Sequence, residues 1–223
     1  MTNNSQTDII ASTLLGKKID GKTSYNPDIL VAVPREENRK KYDINSKDLP
    51  FLGWDIWHCY EFSTMTNNNI PITRVLKIKY PCQNDYIIES KSLKLYLNSF
   101  NMSNFGDNIQ QCLELCKEKI SKDLSNKLKT NVEVNFLSDK TKKTNVFDNY
   151  KNIMTYINEK ELKIKNFKES PELINVIDNQ EIKEYFLTFD SLRSNCRVTH
   201  QPDFGDLFIY YKSKKFFEYN SLV

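Results

Sequence analysis

The sequence predicts an α+β fold in which antiparallel strands carry two consecutive helices on one face. Two strand-like runs, residues 55–64 and 72–80, are separated by the Asn-rich link 67–69, which is typical of a β-hairpin. The apolar spacing then changes to the helical period over residues 93–124, and a strand-like run returns at residues 132–137. Two helices enclosed by strands in this order indicate helices that pack on one face of an antiparallel sheet.

The hairpin strands are predicted from aromatic content and from alternation. The first run is rich in aromatic residues and alternates loosely, whereas the second alternates strictly. One face of the second run carries Ile72, Arg74, Leu76, Ile78 and Tyr80. A short third strand is predicted from Tyr86 to Glu89, immediately before the first helix.

The two helices are predicted from apolar stripes with a spacing of three and four residues. The first stripe consists of Leu93, Tyr96, Leu97 and Phe100, and the second of Ile109, Cys112, Leu113, Cys116, Ile120 and Leu124. Ser103 and Asn104 separate the two stripes. Because Cys112 and Cys116 belong to the second stripe, we interpret them as buried structural cysteines.

Composition divides the chain into four segments. These are a polar arm over residues 1–50, a first folded unit over 51–139, a Lys- and Asn-rich linker over 140–160, and a second unit over 161–223. The prolines of the arm predict an extended chain with short turns, so we expect the continuous core to begin near Pro50.

The second unit carries a faint echo of the first. Its strands are predicted over residues 162–167, 184–189 and 207–211. Residues 217–222 repeat the Glu, Ser and Leu of residues 88–93, which is the trace that a duplicated domain would leave. If the repeat reflects a duplication, the second copy stops where its helices should begin.

Charge and composition argue against several classes of protein. Lys and Arg number 32 and Asp and Glu number 29, which gives a net charge of +3. A nucleic-acid-binding protein usually has a larger and clustered basic excess, whereas the lysines here are scattered. No apolar run approaches the roughly 18 residues of a membrane span, and the N-terminus lacks a signal-peptide pattern, so we expect a cytoplasmic protein. With 5 cysteines, no Cys-x-x-Cys pair and only 2 histidines, neither disulfides nor a His-based metal site is expected.

The strand-to-helix junction at residues 89–96 is the first candidate for chemistry. Its sequence is Glu-Ser-Lys-Ser-Leu-Lys-Leu-Tyr. Helix N-termini present free N–H groups and a partial positive charge, and Lys91 and Lys94 add two cations. One interpretation is therefore a phosphate cradle. The other is an ordinary capped helix with solvated lysines, and these residues alone leave both open.

The second candidate is the segment 194–205, which contains Cys196 and Asp203. A cysteine becomes a nucleophile when a positive neighbour favours its thiolate, but Arg197 would point to the opposite face of a strand. Pro202 and the glycine three residues later predict a turn that brings Asp203 back toward Cys196. A protonated carboxyl in a desolvated pocket can donate a proton. Cys196 and Asp203 together would suit addition of a thiol across a polarised multiple bond. The alternative interpretation is a buried structural cysteine beside a Pro-Asp turn.

The two segments resemble the motifs of a known enzyme family. Residues 89–96 match the signature octapeptide of the NADPH-dependent 7-cyano-7-deazaguanine reductases, and the run from Cys196 to Asp203 matches their catalytic segment. The order of the motifs is that of the type II, or long, form. Further segments similar to that form are Leu15-Gly16-Lys17, Val33-Pro34-Arg35, Leu49-Pro50-Phe51 and Asp55-Ile56-Trp57. The resemblance covers nearly the whole chain and is weakest over residues 140–183.

The resemblance implies the tunnelling fold (T-fold). Two tandem units would each combine an antiparallel sheet with two helices, the second unit being incomplete here. It implies NADPH-dependent reduction of the nitrile of 7-cyano-7-deazaguanine to 7-aminomethyl-7-deazaguanine, in the biosynthesis of queuosine for tRNA. Reduction of a nitrile to a primary amine requires two hydrides, hence two NADPH. The expected partner is this small deazapurine, with no direct contact to nucleic acid or membrane, and a complete protein is expected to form a homodimer.

The resemblance also implies roles for individual residues. Cys196 would be the nucleophile that adds to the nitrile carbon to give a thioimide, and Asp203 the general acid. Glu89 would hold the deazaguanine ring by accepting from its N–H edge. The positions implied for the substrate are Ile88, Glu89 and Ser90, and those implied for NADPH are Ser90 and Lys91. A nitrile-hydrolysing enzyme also forms a cysteine adduct, but it needs a Glu-Lys-Cys triad that no motif here supports.

The C-terminal end departs from the family's pattern. The family's second half continues with two helices, a His-Glu pair for the substrate and an Arg-Gly pair for NADPH, and no His-Glu pair follows Cys196 here. We therefore expect a C-terminally truncated member, and the alternative function is an inactive remnant that only binds deazaguanine or assembles. Without the covering helices, the side chains expected to be exposed are Leu207, Ile209, Tyr211, Phe216 and Phe217.

Overall fold

The chain folds as two units that follow one another in sequence. The computed structural model describes residues 24–137, 147–158, 160–164, 166, 170–195 and 202–223. Residues 1–142 contain the first unit and residues 143–223 the second. Antiparallel sheets and two long helices make up the described chain, which confirms the predicted α+β class.

The arm is folded onto the first unit from residue 24 onward. It contains a 3-10 turn at Pro27–Ile29, strand β1 at Ala32–Pro34 and helix α1 at Glu36–Lys41. Leu30 is 1% exposed, so the core begins there, and the prediction that it begins near Pro50 is wrong. The buried apolar residues of the arm lie in a short run, residues 29–33, whose flanking prolines indicated an extended chain and not a part of the core.

The sheet of the first unit contains the predicted hairpin. Its strands, in the order β2–β3–β5, are β2 at Trp54–Met65, β3 at Pro71–Pro81 and β5 at Glu133–Leu137. Strands β2 and β3 pair antiparallel from Trp54 opposite Pro81 to Met65 opposite Pro71. Asn69 adopts φ 62° in the connecting turn, a left-handed conformation that Asn tolerates better than most residues. The short strand β4, Tyr86–Ile88, pairs instead with β1.

Both predicted helical stripes are buried in the first unit. Helix α2 spans Ser90–Asn98 and helix α3 spans Ile109–Leu128. Ile109 departs from the prediction at 43% exposure, because it begins α3. The residues that form one core with the strands are Leu93, Tyr96, Leu97, Phe100, Cys112, Cys116, Ile120 and Leu124, packed with Phe62, Leu76, Ile78, Tyr80 and Val134. Since each large apolar side chain contributes about 1.5–3 kcal/mol on burial, this core is the main source of the unit's stability.

Two tyrosine hydroxyls, one from the arm and one from α2, donate to Asp123 of helix α3. Tyr25 Oη donates to Asp123 Oδ2 at 2.6 Å, and Tyr96 Oη donates to the same oxygen at 2.7 Å. Burial, and next the hydrogen bond to Asp123, raise the pKa of both tyrosines, so both hydroxyls keep their protons. The Tyr25 ring also meets Phe100 edge-on, with 5.0 Å between centroids. Asp123 thus satisfies one fully buried hydroxyl and one from the arm.

The second unit is a long hairpin with a short third strand. Strand β7, Val176–Asn195, pairs antiparallel with β8, Pro202–Phe217, and β6, Lys151–Asn152, pairs parallel with β7. Predicted strands 184–189 and 207–211 lie within β7 and β8, whereas the described residues of 162–167 are not in a strand. The predicted turn at Pro202 is also wrong, because β8 begins there and its Gly205 pairs with Leu192. Proline fits this position since the first residue of a strand need not donate a ladder hydrogen bond.

Aromatic pairs cover part of the hairpin. Tyr185 stacks on Tyr211 with 4.6 Å between centroids, and Phe186 contacts Tyr210 at 5.0 Å. Leu207 is 38% exposed, as predicted. The predicted exposure is wrong for four side chains, which are half-buried because neighbouring rings shield them: Ile209, Tyr211, Phe216 and Phe217. The described part of the predicted linker, 147–158, contains β6 and a 3-10 turn at Ile153–Tyr156.

The hydrogen bonds from Tyr25 and Tyr96 to Asp123 give the first prediction. Asp123→Ala leaves the buried Tyr96 hydroxyl without its acceptor, and we expect the free energy of unfolding to fall by about 1–3 kcal/mol. Urea denaturation followed by circular dichroism measures the change. Glu118→Ala, on the exposed face of the same helix, is the control and is expected to change stability by less than about 0.5 kcal/mol. Equal effects of the two substitutions would contradict the role given to Asp123.

Candidate active site

The β4–α2 junction holds the four positions expected to bind substrate and cofactor. Ile88 ends β4 and is 2% exposed, and Glu89 is the N-cap residue of α2. Ser90 and Lys91 are the first two residues of the helix, and both are half-buried. The first unit therefore presents a carboxylate, a hydroxyl and an ammonium group at one helix end.

The Glu89 carboxylate caps helix α2 with both of its oxygens. The backbone N–H of Lys91 donates to Oε1 at 2.9 Å, and that of Ser92 donates to Oε2 at 2.6 Å. Two of the amides that an anion would use at this helix end are therefore already bonded. Of the two interpretations of this junction, the capped helix is the one that the geometry matches. Any phosphate contact here would involve the side chains of the first turn, not its amides.

Neighbouring strands fix the backbone of the junction. The N–H of Glu89 donates to the carbonyl of Val31 at 2.9 Å. Tyr80 Oη, on β3, accepts from the N–H of Ile88 at 3.4 Å and from Trp57 Nε1 at 2.9 Å. Burial raises the pKa of Tyr80 to about 12, so the phenol stays neutral and holds the end of β4. No sequence signal points to these roles of Tyr80 and Val31, because neither an alternating strand nor an extended arm reveals such hydrogen bonds.

An ion pair ties the arm to the other end of β4. Arg35 pairs with Asp55 of β2, and its Nε donates to the carbonyl of Tyr86 at 3.0 Å. The backbone N–H of Arg35 donates to the backbone carbonyl of Asp85 at 2.9 Å. Segments 33–35 and 55–57, which resemble the long form, thus meet beside the strand that leads into Glu89. Their physical task in this unit is to hold β4.

The predicted catalytic residues belong to the second unit. Cys196 lies outside the described residues, and for Asp203 the backbone is described. Asp203 is the second residue of β8 and pairs with Ser194 of β7, next to the pair formed by Asn195 and Pro202. The register therefore places position 203 opposite a residue two positions before Cys196. Position 203 is held beside the end of β7 by strand pairing and not by the predicted turn.

The other cysteines are free thiols in the part of the chain that the structure describes. Cys112 and Cys116 are buried, which confirms their structural interpretation. Burial raises the pKa of Cys59 to about 11 and that of Cys116 to about 12, so neither forms much thiolate near neutral pH. Among the described residues, no group of three or more His, Cys, Asp or Glu side chains is arranged to hold a metal ion. No helix within the described ranges is both long and apolar enough to cross a membrane.

Comparison with known proteins places this architecture in a family. Residues 21–136 match the profile described as "Nitrile reductase, 7-cyano-7-deazaguanine-reductase N-term". The chain is 37% identical over 207 residues to the NADPH-dependent 7-cyano-7-deazaguanine reductase of Rickettsia felis, an alignment that covers 92% of this chain and 72% of the relative. It is 31% identical over 216 residues to that of Colwellia psychrerythraea, covering 92% and 71%. For the Legionella pneumophila (strain Corby) enzyme the identity is 34% over 203 residues, covering 90% and 68%.

The matched profile defines a nitrile reductase domain, and it spans the arm, the β4–α2 junction and both long helices. The chain belongs to the family of NADPH-dependent 7-cyano-7-deazaguanine reductases. The family motif at residues 89–96 is thus the segment whose carboxylate caps α2.

The cap gives the second prediction. Glu89→Ala removes two hydrogen bonds from the first turn of α2, and we expect the free energy of unfolding to fall by about 0.5–2 kcal/mol. Asn108→Ala is a matched control, because Asn108 caps α3 by accepting from the N–H of Gln111 at 2.9 Å. Urea denaturation of both variants is expected to give losses of similar size. Destabilisation by Asn108→Ala alone would show that the Glu89 carboxylate does not cap α2 in solution.

Proposed function

We propose that this chain reduces the nitrile of 7-cyano-7-deazaguanine to a primary amine with electrons from NADPH, in the biosynthesis of queuosine. The observation that carries the proposal is the fixed Glu89 carboxylate at the β4–α2 junction, inside the segment that matches the reductase profile. Membership of the family supports the reaction and the cofactor. The proposed fold is the tunnelling fold, completed in a homodimer.

Glu89 is proposed to recognise the deazaguanine ring. A carboxylate offers about four acceptor positions, and the helix amides occupy two of them. The remaining lone pairs can accept from adjacent N–H groups on one edge of the ring. Because the cap fixes the carboxylate before substrate arrives, little conformational freedom is lost on binding. Ile88 and Ser90 flank this carboxylate in the chain and line the proposed ring site.

Ser90 and Lys91 are proposed to hold NADPH through their side chains. A hydroxyl and an ammonium group in the first turn of a helix suit the phosphate and ribose oxygens of a dinucleotide. The Glu89 cap occupies the amides of the same turn, so the proposed contacts are made by side chains. When bound, NADPH supplies hydride, and two hydrides convert a nitrile to an amine. The task of these residues is to hold the cofactor beside the ring.

Cys196 and Asp203 are proposed to carry out the covalent step. The thiolate of Cys196 attacks the nitrile carbon, and Asp203 donates a proton to the nitrile nitrogen, which gives a thioimide. Covalent addition replaces an unreactive triple bond with a more electrophilic C=N bond. The backbone register of β7 and β8 supports the pair, since Asp203 lies opposite Ser194. The proposed location is the cytoplasm, where a reduced Cys196 thiol is maintained.

The third prediction tests this chemistry by intact-mass spectrometry of the full chain. Incubation with 7-cyano-7-deazaguanine without NADPH is expected to add the whole mass of the nitrile to the protein. Cys196→Ala is expected to abolish the adduct. Cys59→Ala is the matched control and is expected to keep it, because burial disfavours the Cys59 thiolate.

Addition of NADPH separates reduction from other outcomes. The adduct is expected to disappear as NADPH absorbance falls, with two NADPH consumed for each aminomethyl product. Release of an amide or acid with NADPH unchanged would show a nitrile-hydrolysing enzyme instead. Binding without any adduct would show a remnant that retains only ring recognition. An adduct that persists in Cys196→Ala would show that another residue is the nucleophile.

A further inference from the structure

Ser92 completes a closed network of hydrogen bonds between the arm and Glu89. Its Oγ donates to the carbonyl of Glu89 at 2.8 Å and accepts from the N–H of Val31 at 3.1 Å. The carbonyl of Val31 accepts from the N–H of Glu89 at 2.9 Å. In addition, the backbone N–H of Ser92 donates to the Glu89 carboxylate at 2.6 Å. One residue therefore contacts Glu89 at both its main chain and its side chain.

The Ser92 hydroxyl both donates and accepts within this network of hydrogen bonds. Ser92 is 0% exposed, so no solvent replaces its hydroxyl if it is removed. Without it, the N–H of the half-buried Val31 would lose its acceptor, which favours movement of the arm away from α2. Because Val31 also holds the N–H of Glu89, that movement would be transmitted directly to the carboxylate that caps the helix. The Ser92 hydroxyl is therefore the side-chain link between the arm and Glu89, beside the backbone bond from Glu89 to Val31 and the pairing of β1 with β4.

We infer that Ser92 is a positioning residue for ring recognition, and that it makes the arm segment around Val31 part of the substrate site. Ser92 acts through Glu89 and does not itself contact the ring. The inference rests on the proposed function, in which Glu89 binds the deazaguanine. It predicts that loss of the hydroxyl weakens ring binding beyond its effect on stability.

Ser99 provides a matched comparison on the same helix. It is 3% exposed, and its Oγ accepts from the N–H of Asn26 at 3.1 Å and donates to the carbonyl of Tyr96 at 2.6 Å. Ser99 therefore makes the same two kinds of bond to the arm and to its own helix. It is the C-cap residue of α2, at the end opposite Glu89. Ser99→Ala thus repeats the structural loss without touching the carboxylate.

The fourth prediction measures ring affinity in the full chain carrying Cys196→Ala, which prevents covalent capture. Isothermal titration with 7-cyano-7-deazaguanine is expected to show a Kd about 3- to 10-fold higher for Ser92→Ala, as expected for one hydrogen bond. Ser99→Ala is expected to keep the parent Kd. Its melting temperature is expected to fall by about as much as that of Ser92→Ala. Ser92→Thr, which keeps the hydroxyl, is expected to bind like the parent. If Ser92→Ala does not fold, Ser92→Cys keeps a side chain of the same shape at this position, weakens both bonds and is expected to show the same rise in Kd.

Each other outcome overturns the inference. Equal Kd values for the Ser92 and Ser99 variants would show that Ser92 is only structural. If the parent binds 7-cyano-7-deazaguanine but Ser92→Thr shows the same rise in Kd as Ser92→Ala, the hydroxyl is not the group that positions Glu89. A parent protein that does not bind 7-cyano-7-deazaguanine at all would overturn the proposed function, and this inference with it.

Discussion

The first unit depends on a carboxylate held at a helix end. Glu89 satisfies two amides that would otherwise face the site without partners, and the helix end in turn favours the negative charge of the carboxylate. The strands around it are arranged to keep this junction in place. Strand β1 pairs with β4, Tyr80 holds the end of β4, and Val31 holds the N–H of Glu89. The same acidic group can therefore act as a structural cap and as a preorganised acceptor for a ligand.

The proposed chemistry is divided between the two units of the chain. We propose that ring and cofactor recognition use the β4–α2 junction of the first unit, and that the nucleophile and acid are Cys196 and Asp203 of the second. The two settings differ in their physical character. The junction is supported by a continuous buried core, whereas the hairpin is held mainly by strand pairing and aromatic contacts such as Tyr185 on Tyr211. Its Leu207, Phe208 and Tyr210 side chains remain exposed in this chain.

Periodic parts of the fold could be predicted from the sequence, and parts that depend on single contacts could not. The β2–β3 hairpin and the stripes of α2 and α3 follow from repeated spacing, because burial of one face requires it. The contribution of the arm was not predicted, since its apolar run over residues 29–33 is short and lies between prolines that indicate an extended chain. The cap was one of two interpretations that the sequence left open. Glu is not among the preferred N-cap residues, so the sequence did not decide between a capped helix and a phosphate cradle. In the hairpin, Pro202 suggested a turn although it begins a strand.

The measurement that tests the central claim most directly is amide hydrogen exchange of the free protein, resolved by NMR at Lys91 and Ser92. First-turn amides of a helix normally lack a partner and exchange quickly. If the Glu89 carboxylate holds them before any ligand binds, both amides will be protected in the free chain to a level near that of interior α2 amides. Rapid exchange at both positions, with the rest of α2 protected, would show that the carboxylate is not preorganised and would contradict the account.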